Sequence, residues 1–281
     1  MTDGPVPTRT LVDGLELPVI GFGTYPLKGQ DGAEVVRSAI DVGYRLIDTA
    51  YNYENEGAVG RAVRRSGVPR DELVLSSKLP GRYHRHDDAV RTVHESLWRA
   101  GLDHWDLYLV HWPNPRQGLF VEAFGALLEL RDAGLIRSVG VSNFLPEHLQ
   151  ALLDAFGRVP SVNQVELHPY LPQVQQRAVD ASLGVVTQSW SPLGRASDVL
   201  ADPVVVDVAR AHGVGPGEVI LRWHTQLGAV PLPKSSTPER QRANLGVLGF
   251  TLDDEEVAAI TALDRADGRI ADQDPAIYEE F

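Results

Sequence analysis

Short apolar runs alternate with longer segments of helical spacing along most of the chain. The apolar runs recur at 18–22, 45–48, 73–78, 106–111, 136–142, 161–166, 185–190 and 229–233. Between them, apolar residues return every three or four positions, as in Ala33-Val36-Ala39-Ile40 and Ala89-Val90-Val93-Leu97. Eight strand-like runs with intervening helices predict an α/β fold, a (β/α)8 TIM barrel rather than an open sheet.

Turn signals support this division and add an element at the N-terminus. The segments 8–12 and 15–17 flank Asp13-Gly14, a dipeptide favoured in tight two-residue turns, which predicts a β-hairpin before the barrel. No linker or low-complexity segment follows, so we expect residues 1–281 to form a single barrel domain. Glycines at the predicted helix ends mark where each helix gives way to the next strand: Gly43, Gly101, Gly134 and Gly184.

Composition narrows the classes of function. The chain has 281 residues and no cysteine, which excludes disulfides, thiolate zinc sites and a cysteine nucleophile. Its formal net charge of −12 opposes nucleic-acid binding, which normally needs a basic face. No run approaches the roughly 18 apolar residues of a membrane span, and the first residues lack a secretory signal pattern. We therefore expect a cytoplasmic protein that binds neither nucleic acid nor membranes.

Polar residues stand at the ends of the predicted strands. In a TIM barrel the carboxyl ends of all eight strands meet at one face, where the active site lies. Any one of these residues could instead satisfy backbone groups of its loop, but seven polar ends together favour a site. They are Asp48, Lys78, His111, Ser142-Asn143, Gln164–Glu166, Ser189-Trp190 and Lys234.

Three of these strand ends and their loops offer groups suited to proton transfer during carbonyl reduction. Tyr53 follows Asp48 by five residues, and a phenol with its reference pKa of about 10 is a poor acid near neutral pH. A nearby Lys78 would favour tyrosinate and lower the pKa of Tyr53, with Asp48 orienting the lysine and His111 orienting a carbonyl. Alternatively, Tyr53 starts a surface helix, Asp48 and Lys78 form a structural ion pair, and His111 is a core histidine.

A phosphate site is indicated in a different place from the usual dinucleotide fold. The segment Gly21–Pro26 fails the last position of Gly-x-Gly-x-x-Gly, which disfavours a Rossmann site. Residues 234–240 instead precede a predicted helix, with Thr237 as its cap and Pro238 in its first turn. Free amides at such a helix start, two flanking cations and the Ser235 hydroxyl suit an anion. An ordinary capped helix with solvated charges is the alternative.

Five segments, in order along the chain, resemble motifs of the aldo-keto reductase family. The first, GYRLIDTAYNYENE, contains Asp48 and Tyr53, and the resemblance extends from about Val19 to Leu263. It implies a (β/α)8 barrel and an NAD(P)H-dependent carbonyl reductase, with Tyr53 as general acid, Lys78 and Asp48 as its tuning pair and His111 as substrate orienter. The five segments are Gly43–Glu56, Asp106–Pro113, Gly140–Asn143, Asn163–Pro169 and Pro233–Arg240.

The same resemblance implies a set of cofactor contacts. At the adenosine 2′-phosphate and the adenine, it implies Lys234, Ser235, Arg240 and Asn244. At the nicotinamide and the pyrophosphate, it implies Ser142, Asn143, Gln164, Trp190, Ser191 and Leu193. Many relatives carry tyrosine where this chain has Trp190, but either ring can stack on nicotinamide. We expect NADPH as the cofactor, with NADH as a weaker alternative.

The substrate side is less defined. The resemblance suggests an aldehyde, ketone or diketone as substrate, a monomer as the working form, and a pocket lined by Tyr25, Leu79, Trp112 and Asn114. Position 79 is tryptophan in many relatives, so this departure alters one wall of the pocket. The tail from Ala266 to Phe281 either folds over the barrel mouth or frays.

Two further interpretations concern other classes of site. The segment Arg82–His86 has histidines but no partnered carboxylate or cysteine at metal-ligand spacing, so we expect a solvated loop and no metal site. A barrel glycosidase using Asp48 and Glu166 would need two carboxylates across a sugar site, about 5–10 Å apart. A non-catalytic NADP-binding subunit is the remaining alternative.

Overall fold

The computed structural model describes residues 6–195 and 197–281. Two short antiparallel strands, β1 (Thr8–Thr10) and β2 (Glu16–Pro18), form the N-terminal hairpin. Eight parallel strands follow and lie side by side in chain order. They are β3 (Phe22–Gly23), β4 (Leu46–Asp48), β5 (Val74–Leu79), β6 (Trp105–Val110), β7 (Ile136–Ser142), β8 (Val162–Glu166), β9 (Val186–Trp190) and β10 (Val230–Pro231).

Backbone hydrogen bonds between the first and the last strand close the sheet into a barrel. The Gly21 amide donates to the Pro231 carbonyl over 3.0 Å, and the Gly23 amide donates to the Pro233 carbonyl over 3.1 Å. A side chain at Gly23 would lie 2.7 Å from the Leu232 carbonyl oxygen, so only glycine permits this approach. The predicted (β/α)8 TIM barrel is confirmed.

Helices surround the barrel and connect its strands. The predicted helical spacing is confirmed in α1 and α3, where seven of the eight predicted apolar positions are buried and Val90 is half-buried. Gly43, Gly101, Gly134 and Gly184 all have positive φ at or next to helix ends, as predicted. The helices are α1 (Gly29–Val42), α2 (Glu56–Ser66), α3 (His86–Ala100), α4 (Phe120–Asp132), α5 (Pro146–Phe156), α6 (Val174–Ser182), α7 (Pro203–His212), α8 (Pro216–Gln226), α9 (Pro238–Gly246) and α10 (Asp254–Thr261).

The hairpin covers the amino-terminal end of the barrel. Its Leu11, Leu15 and Leu17 are buried in one apolar cluster with inward-facing residues near the strand starts, among them Leu46 and Leu107. This cluster fills the barrel interior near its amino-terminal end, so the carboxyl-terminal end of the barrel is left for a site. In the described part of the chain, no helix is long and apolar enough to cross a membrane.

Two predicted boundaries are wrong in detail. The hairpin turn has three residues, 12–14, because the Leu11 amide bonds the Leu15 carbonyl and Gly14 adopts φ 88° after a tight turn. The apolar run 18–22 is divided, since Pro18 ends β2 and β3 begins only at Phe22. Apolar content alone does not distinguish a hairpin strand from a barrel strand when the two run on in sequence.

A buried carboxyl on α6 gives a prediction about stability. Burial raises the pKa of Asp180 to about 6, although Gln176, Thr187 and Asn163 each donate a hydrogen bond to it. A carboxyl whose folded-state pKa is raised destabilises the fold above that pKa and has no such effect below its unfolded pKa. We expect Asp180→Asn to raise the free energy of unfolding by about 1–3 kcal/mol at pH 7. Thermal unfolding should show the melting temperature of the variant rising relative to the parent between about pH 4 and 6. A constant difference across that range would contradict this assignment.

Candidate active site

A buried ion pair stands at the carboxyl ends of β4 and β5. The Nζ atom of Lys78 lies 2.6 Å from Oδ2 of Asp48 and donates a second bond, 2.8 Å long, to the Thr49 carbonyl. The other carboxylate oxygen accepts from Ser76 Oγ at 2.6 Å and from Gln164 Nε2 at 2.9 Å. Lys78 is fully buried, so both its position and that of Asp48 are fixed by hydrogen bonds rather than by solvent.

The loop after β4 brings Tyr53 over this ion pair. A single turn of 3₁₀ helix spans Tyr51–Tyr53, and Asn55 anchors the loop by accepting from Thr49 Oγ1 at 2.5 Å. Lys78 Nζ lies 5.2 Å from the centroid of the Tyr53 ring, and the His111 ring lies 6.0 Å from it, centroid to centroid. The four residues predicted to act together are therefore neighbours in the fold.

The pKa of Tyr53 differs from the one that the sequence predicted. Burial raises the pKa of Tyr53 well above its ordinary value, and Asp48, Glu280 and Tyr25 raise it further. The prediction of a lowered pKa for Tyr53 is wrong for the free protein, because burial outweighs the effect of Lys78, whose charge is paired with Asp48 at 2.6 Å. Burial likewise lowers the pKa of Lys78, against the opposing effect of Asp48. Tyr53 is thus held protonated at neutral pH.

Tyr51, the other phenol of the loop, points elsewhere. Its hydroxyl accepts a 2.9 Å bond from Arg99, whose guanidinium also lies 4.0 Å from the ring centroid. The ring lines a separate surface cavity with Arg82 and Trp98. The structure therefore separates the two phenols, one facing the barrel mouth and one facing α3.

A cleft of about 660 Å³ opens above these residues at the barrel mouth. Of the residues selected from the sequence, its walls include Tyr25, Asp48, Tyr53, His111, Trp112, Asn143, Gln164, Trp190, Ser191, Leu193 and Lys234. Lys78 lies behind this surface. A cavity of this size at the carboxyl ends of barrel strands suits a cofactor and a small substrate.

Trp190 forms a fixed aromatic wall of the cleft. Its Nε1 donates to Asn143 Oδ1 over 2.8 Å, and the amide nitrogen of Asn143 donates to the His111 carbonyl over 3.1 Å. The Ser142 hydroxyl donates to the Gln164 carbonyl over 2.7 Å, which ties β7 to β8 at the same level. A flat ring flanked by amide side chains provides both stacking and hydrogen bonds for an aromatic amide.

The predicted anion segment begins at the cleft and leads into α9. Lys234 lines the cleft, Ser235 is buried, and Thr237 takes the N-cap position before Pro238. The cap prediction is wrong in one respect: the Thr237 side chain makes no cap hydrogen bond. This leaves the first amides of the helix without a side-chain partner, as an anion would need. Arg240 and Asn244 lie on α9, outside the cleft lining.

Two of the four predicted pocket residues do not reach the cleft. Leu79 is fully buried in the main hydrophobic core, so a strand-end leucine here packs inward and leaves the wall. The Asn114 side chain is also buried and bonds the backbone of Glu280. Their neighbours in the prediction, Tyr25 and Trp112, line the cleft.

The tail supplies cleft residues that the sequence did not reveal. It folds over the barrel mouth, where Glu280 and Tyr278 line the cleft and the Tyr278 ring lies 4.5 Å from Trp112, centroid to centroid. Arg195, directly after Leu193-Gly194, also lines the cleft and sits 5.3 Å from the Tyr25 ring centroid. A cation following the pyrophosphate loop was a usable signal for Arg195. A glutamate in an irregular tail gives no periodic signal.

Metal binding finds no support in the described part of the chain. Among residues 6–195 and 197–281, no group of three or more histidine, aspartate or glutamate side chains could hold an ion. The expected solvated loop at 82–86 is wrong for His84, which is buried. His86 is half-buried and contacts Asp87 and Glu129.

The barrel, the aspartate–lysine pair beneath a tyrosine, and the amide-flanked tryptophan together define a barrel oxidoreductase acting on carbonyl groups. The family model described as "Aldo/keto reductase family" matches residues 19–265. The chain belongs to the aldo-keto reductase family, as its motifs predicted.

Individual relatives cover nearly the whole chain. A 2,5-diketo-D-gluconic acid reductase B from a Corynebacterium species is 50% identical over 276 residues, which cover 98% of this chain and 99% of the relative. A mutant of Gox0644, solved in complex with NADPH, is 39% identical with a TM-score of 0.93, covering 98% of this chain and all of that one. An aldo-keto reductase from Bombyx mori in complex with NADP is 31% identical with a TM-score of 0.90, covering 99% of each chain.

Proposed function

We propose that this aldo-keto reductase reduces a small aldehyde, ketone or diketone to the alcohol with NADPH, and that Tyr53 supplies the proton. The observation that carries the proposal is the Tyr53 ring facing the cleft beside His111, with its centroid 5.2 Å from Nζ of the buried Lys78. A protonated phenol at this point can donate to the carbonyl oxygen as it becomes an alkoxide. The whole chain, 1–281, would act as one barrel domain.

The cleft fits a nicotinamide dinucleotide in two places. At one end, Trp190 offers a ring face, with the Asn143 and Gln164 amides beside it for the carboxamide. At the other end, Arg195 and Lys234 bring positive charge to a chain of net charge −12, next to the open start of α9. Ser142 would support the nicotinamide amides, Ser191 and Leu193 would cover the pyrophosphate, and Ser235, Arg240 and Asn244 would contact the adenosine 2′-phosphate and adenine. NADPH bound there supplies the hydride.

The residues of this chain would then complete the reduction. His111 orients the carbonyl oxygen toward Tyr53, so that the carbonyl carbon faces the nicotinamide side of the cleft. As the carbon accepts the hydride, the Tyr53 hydroxyl gives its proton to the oxygen, and the alcohol forms. The phenolate left behind is stabilised by Lys78, which Asp48 holds in place at 2.6 Å. Tyr53 regains its proton from solvent before the next turnover.

A panel of carbonyl compounds tests this activity. Aldehydes, diketones and keto-sugars are mixed with the protein and NADPH, and the loss of NADPH absorbance is followed, with NADH in parallel. We expect turnover of at least one class and a preference for NADPH. Tight NADPH binding with no turnover across the panel would instead favour the non-catalytic subunit.

Replacing Arg240 should separate the two nicotinamide cofactors. Arg240 is exposed on the first turn of α9, where a guanidinium can pair with a 2′-phosphate. Because a hydrogen bond to a charged group contributes about 1.5–3 kcal/mol, we expect Arg240→Ala to weaken NADPH binding roughly 10- to 100-fold. NADH, which lacks the phosphate, should change less than about twofold.

Arg242→Ala is the matched control, since this arginine is exposed on the same helix two residues later. Fluorescence titration of each variant with NADPH and NADH gives the dissociation constants. Equal losses for both cofactors in Arg240→Ala, or the same loss of NADPH affinity in Arg242→Ala, would argue against a phosphate contact.

The glycosidase alternative lacks a pair of carboxylates that face each other across the cleft. Glu166 is buried, accepts from the Ile270 amide at 2.6 Å and lies 3.0 Å from His168 Nε2. Glu166 does not line the cleft, and the Asp48 carboxylate is paired with Lys78. Two carboxylates facing each other across a sugar are therefore not available from these residues.

We also propose that the protein works as a cytoplasmic monomer without a nucleic-acid partner. The net charge of −12 supports the last point, because phosphate backbones repel an acidic surface. Size-exclusion chromatography with light scattering tests the oligomeric state and should give a mass near 30.7 kDa.

A further inference from the structure

The penultimate residue, Glu280, places a carboxylate inside the candidate active site. Its Oε1 accepts from Asn52 Nδ2 at 2.8 Å, and its Oε2 accepts from the Gly81 amide at 3.1 Å. Oε1 also lies 2.7 Å from Nδ1 of His111. The residue is 8% exposed although it is next to the last residue of the chain. Three separate loops thus converge on one side chain of the tail.

The backbone of Glu280 is fixed as firmly as its side chain. The buried Asn114 amide donates to the Glu280 carbonyl at 2.8 Å and accepts from the Glu280 amide at 3.1 Å. A side chain at Gly81 would overlap Asn114, so this position has to be glycine for the tail to dock. Next to it, the Glu279 carboxylate accepts from the Arg116 amide at 2.6 Å. The two bonds between Asn114 and the backbone of Glu280, together with the Glu279 bond, hold the Glu280 carboxylate in one place.

The carboxylate faces one particular nitrogen of His111. At 2.7 Å, a bare nitrogen lone pair and a carboxylate oxygen would repel each other, so Nδ1 carries a proton. The N–H is not aligned for a linear hydrogen bond, and the contact is mainly electrostatic. Since Nδ1 is buried and the residue lines the cleft, Nε2 is the nitrogen left to face a substrate.

The other titratable groups nearby leave this pair in place. Burial lowers the pKa of His84 to about 4, so this ring is neutral and does not compete for the carboxylate. Burial alone would raise the pKa of Glu280, but His111, the Gly81 amide and Asn52 outweigh it and hold the pKa below its usual range. Glu280 is therefore ionised at neutral pH.

We infer that Glu280 is a positioning residue for His111: from the tail, its carboxylate holds the Nδ1–H side of the ring so that Nε2 faces the substrate carbonyl. The carboxylate also balances the ring charge when both nitrogens carry protons, the form in which Nε2–H donates to a carbonyl oxygen. This role rests on the proposed reduction and adds a fifth side chain to its machinery. It makes the tail a part of the active site.

Glu280→Gln tests the inference because it removes the charge and keeps the size of the side chain. We expect kcat to fall about 10- to 100-fold, since a misplaced orienting group costs rates of that order. The KM for the substrate and the Kd for NADPH should stay within about threefold, because the ring acts on the reacting carbonyl rather than on affinity. Glu279→Gln is the control: it removes the same charge from the adjacent tail position.

Nitrogen NMR of histidine-labelled protein gives a readout that does not depend on turnover. The His111 ring signals, assigned with His111→Asn, should shift in Glu280→Gln and remain unchanged in Glu279→Gln. Unchanged His111 signals in Glu280→Gln would overturn the inference, as would a kcat within about twofold of the parent or an equal loss in both variants. If the parent reduces no carbonyl compound, the proposed function fails, and the ring signals still decide whether Glu280 holds His111.

Discussion

Tyr53→Phe should lower kcat by about 10²- to 10⁴-fold, the range that general acid catalysis contributes. The phenylalanine ring keeps the contacts with Tyr25 and His111, at 5.1 and 6.0 Å between ring centroids, and loses only the proton donor. The Kd for NADPH should therefore stay within about twofold. Steady-state kinetics with the best carbonyl of the panel and fluorescence titration with NADPH measure the two quantities.

Tyr51→Phe is the control for this variant. It removes a phenol from the same 3₁₀ turn, but one that bonds Arg99 in a different surface cavity. Its turnover should match the parent. Undiminished turnover in Tyr53→Phe would remove Tyr53 from the proposed mechanism, and equal losses in both variants would point to a disturbed loop instead.

Lys78→Met should cost both turnover and stability. It removes the cation that would stabilise the phenolate, and losing such an electrostatic group lowers kcat by roughly 10²- to 10³-fold. It also leaves the buried Asp48 carboxylate without its partner at 2.6 Å, a change that destabilises proteins by about 3–5 kcal/mol. Both losses follow from the same missing charge.

The double variant Asp48→Asn/Lys78→Met separates these two effects. Removing both charges should recover much of the stability, because the remaining Ser76 and Gln164 contacts suit a neutral amide. Activity should not return, since no cation remains beneath Tyr53. Thermal unfolding and steady-state kinetics of the two single variants and the double variant form the test. A double variant no more stable than Lys78→Met would show that packing, not charge, explains the loss.

The cofactor side agrees with the sequence better than the substrate side does. Trp190, Asn143 and Gln164 lie on the cleft because they stand at or near the carboxyl ends of neighbouring strands of a regular barrel. Asn143 follows β7 directly, so its position depends on the sheet and not on a long loop. The apolar runs indicate where each strand lies and where it ends, which is why these positions could be predicted from the sequence.

The substrate side depends on packing between segments that are distant in sequence. Leu79 and Asn114 follow or end strands just as the cofactor residues do, yet one joins the core and the other bonds the tail. The Asn114 side chain is held by the backbone of Glu280, 166 positions later in the sequence. No local pattern encodes a contact between a loop and an irregular tail.

By itself, the sequence determined the eight-stranded barrel, its helices and the positions of Asp48, Tyr53, Lys78 and His111 at its mouth. Those features follow from apolar periodicity, turn residues and motif order, which are local properties of the chain. Only the tertiary structure decided that burial keeps the Tyr53 phenol protonated, that Leu79 packs into the core, and that Glu280 contacts His111. How deeply a group is buried, which charges surround it and what it contacts all depend on residues that are distant in sequence. Those residues become neighbours only when the chain folds.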